Sequence, residues 1–121
     1  MRKLETRMNN AIRGRKNFSS GNTTVKTCSF FDTEGVYGEE SKVFLHGNHI
    51  ATYNHVNREL TLFDGGWQTV TTKSRLNALC NEFATGFGVF QKNWDWFVSD
   101  FQSKTIKDFT DGITVNYNGC F

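Results

Sequence analysis

The chain has 121 residues, a formal charge of +2 and 15% aromatic residues, and it contains no proline. That length fits one domain able to bury a core without metal or disulfide staples. The absence of any apolar run near ~20 residues excludes a membrane-spanning helix, and Cys28, Cys80 and Cys120, odd in number and without CxxC spacing, argue against a disulfide framework and for a reducing compartment.

Charge is unevenly placed. Residues 1–17 hold Arg2, Lys3, Arg7, Arg13, Arg15 and Lys16 against Glu5, net +5, and the remaining 104 residues carry −3. The basic end is either a contact for phosphate or an acidic partner, or a solvated helix face. No apolar segment opens the chain, so no signal peptide is expected, and the Asn-x-Ser/Thr matches at Asn17 and Asn22 carry no weight without secretion.

Residues 2–13 read as a helix, with Leu4, Met8, Ala11 and Ile12 as its apolar stripe and Gly14 as its stop. Residues 22–30 are rich in β-branched side chains and read as a strand, and 32–41 read as an acidic loop. Two apolar runs flank Gly47-Asn48 within 42–54, which predicts a hairpin closed by a II′-type turn. Residues 59–63 give another strand, left through Asp64-Gly65-Gly66.

Leu76, Leu79, Cys80 and Phe83 then fall at i, i+3, i+4 and i+7, the buried face of a helix whose N-cap is Thr71 or Thr72. Residues 88–101 read as a hairpin turning at Lys92-Asn93, with Trp94, Trp96 and Val98 on one face. The segments TIKDF and ITVNY, separated by Thr110-Asp111-Gly112, read as a last strand pair. The order predicts an α+β fold: a single two-layer domain in which an antiparallel sheet of hairpins (18–121) is packed by one amphipathic helix, with an additional basic N-terminal helix (1–17).

Lys73 and Arg75 sit near the start of the second helix, where positive charge is unfavourable. A phosphate held by the free N–H groups there, with the hydroxyls of Thr71, Thr72 and Ser74 around it, would relieve that repulsion. The competing expectation is that both cations point into water. The pattern is not a P-loop, because Thr72 rather than Gly precedes Lys73. Trp67, after Gly65-Gly66, is either a stacking platform for an unpaired base or a buried seal of helix on sheet.

His46, His49 and His55 lie close enough in sequence to suggest zinc, but no Cys or carboxylate spacing completes a site, and no metal or cofactor is expected. No nucleophile elbow appears, and Asp64, Glu82 and Asp95 are scattered, so no enzyme is expected.

The segments LHGNHIA, LTLFDGGWQTVTTKSRLNAL, GVFQKNWDWFV and FTDGI resemble small proteins of tailed bacteriophages, of the marine podovirus type, with the run from Gly66-Trp67 to Asn77 the most specific part. The resemblance brings no catalytic or ligand residues. It implies a phage accessory protein made in the host bacterial cytoplasm and acting by binding. Two partners follow. One is nucleic acid, contacted by Arg2, Lys3, Arg7, Arg13, Arg15, Lys16, Trp67, Thr72, Lys73 and Arg75. The other is a host enzyme or anti-phage defence protein, contacted through aromatic residues, a strand edge or the acidic loop. A virion component and a homo-oligomer paired along strand edges are further alternatives.

Overall fold

A computed structural model of the chain describes residues 2–116. Tyr117, the end of the last expected strand, and Cys120 lie outside the described residues. Helix α1 (Lys3–Arg13) is followed by five strands, β1 (Phe18–Ser20), β2 (Thr23–Phe31), β3 (Tyr37–Leu45), β4 (Asn48–Asn54) and β5 (Glu59–Leu62). Helix α2 (Val70–Phe83) leads into β6 (Phe87–Lys92), β7 (Asp95–Asp100), β8 (Thr105–Asp108) and β9 (Ile113–Asn116). The α+β class and the antiparallel pairing are as expected from the sequence.

The strands divide between two sheets: six in the order β1-β2-β3-β4-β5-β9 and three in the order β6-β7-β8. The last two strands therefore do not pair with each other, contrary to the reading of TIKDF and ITVNY as a hairpin. Asp111 Oδ1 accepts the Asp64 N–H at 2.9 Å and the Gly112 N–H donates to Leu62 O at 2.8 Å. These bonds carry the chain across to β5, where Leu60 pairs with Val115.

Both tight hairpins turn one residue away from the expected place. The β3–β4 turn is His46-Gly47, with φ of 52° and 79°, and the β6–β7 turn is Asn93-Trp94, with φ of 51° and 73°. Two consecutive positive φ values define the I′ geometry, whose twist matches the flanking strands better than the alternatives. Trp94 therefore stands in a turn and is exposed, while Trp96 and Val98 are buried.

Helix α2 touches α1, β4, β5 and β6, so it meets both sheets. Its buried arc is correspondingly wide. Leu76, Leu79, Cys80 and Phe83 are buried as their spacing demands, and so are Thr72, Arg75 and Ala78. Burial pushes the Cys80 thiol up to about 12, which leaves it unreactive. On the other side the core is completed by Val25, Val43, Ala51, Leu60 and Val115 from the large sheet and Val89, Trp96 and Val98 from the small one.

Helix α1 buries Glu5, Met8, Asn9 and Ile12, a stripe rotated from the expected one so that two polar residues face inward. Each finds its partner on α2. Ser74 Oγ and Arg75 Nη1 donate to Glu5 Oε2 at 2.6 and 2.7 Å. Asn9 Nδ2 donates to Ala78 O at 3.1 Å, and Arg13 pairs with Glu82. The two helices thus lie side by side and run in the same direction.

Candidate functional site

The amino-terminal helix and the start of α2 do come together, but the meeting is internal. Arg75 is 3% exposed and cannot reach a bound polyanion. Its guanidinium also donates to Thr23 Oγ1 at 3.1 Å and Asn22 Oδ1 at 3.3 Å, so one side chain ties α2 to α1 and to the start of β2. Burial alone would raise the Glu5 carboxyl. Hydrogen bonds from Ser74, Arg75 and the Arg2 backbone, with the charge of Arg75, outweigh it and hold the group below its ordinary value.

Thr72 is likewise withdrawn from any surface role. It is buried, its hydroxyl donating to Trp67 O at 3.1 Å. The helix begins earlier than expected, at Val70, and its N-cap is Thr69, whose Oγ1 accepts the Thr72 N–H at 3.1 Å. Lys73 therefore closes the first turn and Arg75 lies beyond it, where the repulsion read from the sequence has weakened. Of the remaining basic residues of the expected surface, Arg2, Lys3, Arg7, Arg13, Arg15 and Lys16 are exposed and Lys73 is half-buried. Trp67 is 68% exposed, but it sits at the opposite end of α2 from Arg13.

At the Arg13 end of α2 lies a polar cleft of about 390 Å³, lined by Arg13, Arg15, Tyr53, His55, Arg58, Glu82 and Phe83. Three guanidinium groups reach it from three places: the last turn of α1, the residue after its cap, and the β4–β5 turn. Arg13 lies over the Phe83 ring, 5.8 Å from Cζ to centroid, and the Phe83 and Tyr53 rings are 4.6 Å apart. Arg15 Nε is 3.0 Å from Glu39 Oε1, and Arg58 forms no ion pair among the described residues. Glu82 and Glu39 hold two of the arginines in place without occupying all five N–H donors of each.

Backbone geometry singles out two of these arginines. Helix α1 ends in a Schellman motif, with Lys16 N–H donating to Ala11 O at 2.9 Å and Arg15 N–H to Ile12 O at 3.0 Å. The left-handed position of that motif is taken by Arg15, at φ 55°, although Gly14 stands beside it at φ −80°. Arg58 closes the β4–β5 turn, also left-handed, at φ 59°. Glycine is the unstrained residue at both positions, and each arginine costs about 1 kcal/mol there. Strain of this kind gathers where side-chain placement matters more than stability.

The floor of the cleft is neutral. His55 Nε2 is 2.8 Å from Ser41 Oγ, and burial, followed by the charge of Arg15, pushes its pKa down against the pull of Glu39. Burial raises the Tyr53 phenol, opposed by Arg58, Arg13 and Arg15. His49 is bonded to Ala51 O at 2.9 Å and Thr52 Oγ1 at 2.7 Å, well away from His55. Among the described residues no three His, Cys, Asp or Glu side chains gather as a metal site.

Of the cleft residues, the sequence marks Arg13 and Arg15 as phosphate contacts and His55 only as a zinc candidate, and it gives Arg58 and Tyr53 no role. Arg58 ends the asparagine turn NHVNR in a left-handed conformation.

The family model of the Kyanoviridae Gp96 protein matches residues 1–116. The chain belongs to that phage protein family. No curated protein and no solved structure matches it. Among the described residues the matched region takes in both helices and every strand, so the arginine cleft lies wholly inside it. In this Gp96-family chain no helix among the described residues is long and apolar enough to cross a membrane.

Proposed function

We propose that this Gp96-family chain is a non-enzymatic phage accessory protein of the host cytoplasm that binds nucleic acid. The arginine cleft is its anchor, and the exposed cations in and beside the first helix, Arg2, Lys3, Arg7 and Lys16, extend the contact. The observation that carries the reading is the convergence of Arg13, Arg15 and Arg58 on one aromatic-floored cleft, two of them on backbone that favours glycine. Planar, fork-like guanidinium groups suit phosphate oxygens, and Tyr53 and Phe83 offer ring faces beside them. Arg75 and Thr72 have no part in it.

The test is fluorescence anisotropy with labelled single-stranded DNA, single-stranded RNA and duplex DNA over a range of salt. Affinity is expected to fall linearly in log–log form, and Arg58→Ala to lower the slope by about one. Absence of binding at low salt, or a slope indifferent to Arg58→Ala, refutes the reading.

A second reading rests on a separate observation. Trp94 is 88% exposed, Val70 70% and Trp67 68%. Gln68 and Asp95, the chain neighbours of the two indoles, line one cleft, which places the indoles on the same end of the molecule. Such anchors suit inhibition of a host enzyme or defence protein. Capture of one stoichiometric host protein from nuclease-treated lysate, lost in a Trp67→Ala/Trp94→Ala variant, favours this reading over the first.

A further inference from the structure

The long β2–β3 hairpin is only half covered along its outer edge. Strand β1 pairs with β2 from Thr23 to Val25 and no further. The next edge-facing amide, that of Thr27, is capped by Asn17 Oδ1 at 2.8 Å. Even-numbered residues turn their backbone groups inward: Asn22 O accepts from His46 N, and Asp32 N donates to Val36 O. The alternation of a strand therefore turns Ser29 and Phe31 outward. No hydrogen bond among the described residues meets their N–H and C=O groups on that side.

This stretch carries none of the usual guards of a free edge. It has no proline, no lysine between Thr27 and Phe31, and no covering element among the described residues, and Phe31 is 72% exposed.

We propose that the open edge of β2 pairs with the same edge of a second copy, antiparallel, about a two-fold axis at Phe30. In this register Ser29 exchanges both hydrogen bonds with the second copy's Phe31, and the reverse. The edge-facing N–H and C=O groups of Ser29 and Phe31 are then satisfied, and the Asn17 cap on the Thr27 N–H stays intact. Sliding the register toward Thr27 would break that cap. The two Phe30 side chains form the close, non-hydrogen-bonded pair at the axis, with Cα atoms about 4.5 Å apart.

Charge also favours a second copy as the occupant. The axis brings the acidic turn of one chain, Asp32 and Glu34, toward Lys26 and Lys16 of the other, so the ends of the paired segment meet with opposite sign. The interface is isologous, which closes the assembly at two chains. This inference stands apart from the arginine cleft and from its ligand.

Sedimentation velocity on the full chain over a range of concentrations tests it. Wild type is expected to populate a dimer. Ser29→Pro deletes an edge-facing N–H without touching the β3 ladder, and is expected to sediment as a monomer with an unchanged circular dichroism spectrum. Should that proline unfold the hairpin, Phe31→Lys, at an exposed position, is expected to give the same monomer. In a background with Cys28 and Cys120 replaced by serine, Phe30→Cys is expected to form an interchain disulfide on mild oxidation, since the axis places those Cα atoms within bridging range. A wild-type monomer at every concentration, a dimer indifferent to Ser29→Pro and Phe31→Lys, or no cross-link at position 30 overturns the proposal. So does capture of a different protein by a chain that stays monomeric.

Discussion

Replacing Glu5 with glutamine tests the internal role assigned to Arg75. The carboxylate is 2% exposed and accepts from Ser74, Arg75 and the Arg2 amide, while the guanidinium beside it is 3% exposed. Glutamine keeps the shape and removes the charge, leaving a buried cation with neutral partners only. Breaking one side of a buried pair costs about 3–5 kcal/mol, a large part of the roughly 5–15 kcal/mol that holds a domain folded. For a chain of this length that corresponds to a fall of about 12–20 °C in Tm. Urea unfolding is the assay, with a lower midpoint and an unchanged slope expected.

The pH dependence gives a second, independent reading of the same group. Its folded pKa lies below the ordinary value of 4.5, so it contributes stability above that value and loses it as pH falls through the folded pKa. The acid limb of the stability profile should therefore be shallower in Glu5→Gln. A loss under about 1 kcal/mol would mean that Arg75 is satisfied by Thr23, Asn22 and solvent, and that the pair does not organise the helices.

Other expectations are equally direct. Arg58→Gly should raise stability by about 1 kcal/mol by relieving a left-handed arginine, while weakening oligonucleotide binding in the anisotropy assay. Trp94→Gly should raise Tm by about 4 °C, because the Asn93-Gly turn it creates fits the I′ geometry, and should abolish any capture that depends on the exposed indole. Leu76→Ala, at a fully buried position on α2, should cost about 2–5 kcal/mol in urea unfolding. His49 and His55 both titrate below their ordinary 6.5 in the folded chain. Their contribution is present above that value and fades as pH falls through the folded pKa, so His55→Gln should flatten the stability profile just below neutrality.

Local pattern in the sequence carried most of the elements. The apolar spacing of Leu76, Leu79, Cys80 and Phe83 and the β-branched run before Phe30 correspond to α2 and β2. What it could not carry was the identity of partners across space. Thr110-Asp111-Gly112 marks a change of direction, but only the bonds to Asp64 and Leu62 decide which sheet receives the chain. Arg75 has the look of a surface cation because its partner is 70 residues away. Glu5 hid in the same way, as a lone acid among arginines. The cleft was half legible, since Arg13 and Arg15 belong to a visible basic run while Arg58 enters from a separate turn.

The parallel helices also set a timetable for synthesis. Glu5, Asn9 and Arg13 meet residues 74–75, 78 and 82, so the first helix, which also packs on β1 and β2, lacks its α2 partner until residue 82 has been made. Until then only β1 and β2 can cover its apolar stripe, Met8 and Ile12, and the side that α2 closes stays open to water. Loop closure over that distance comes late and is entropically costly. A nascent chain halted before Glu82 is expected to carry a basic amphipathic helix docked on one side only, and to be the form most readily lost to host proteases.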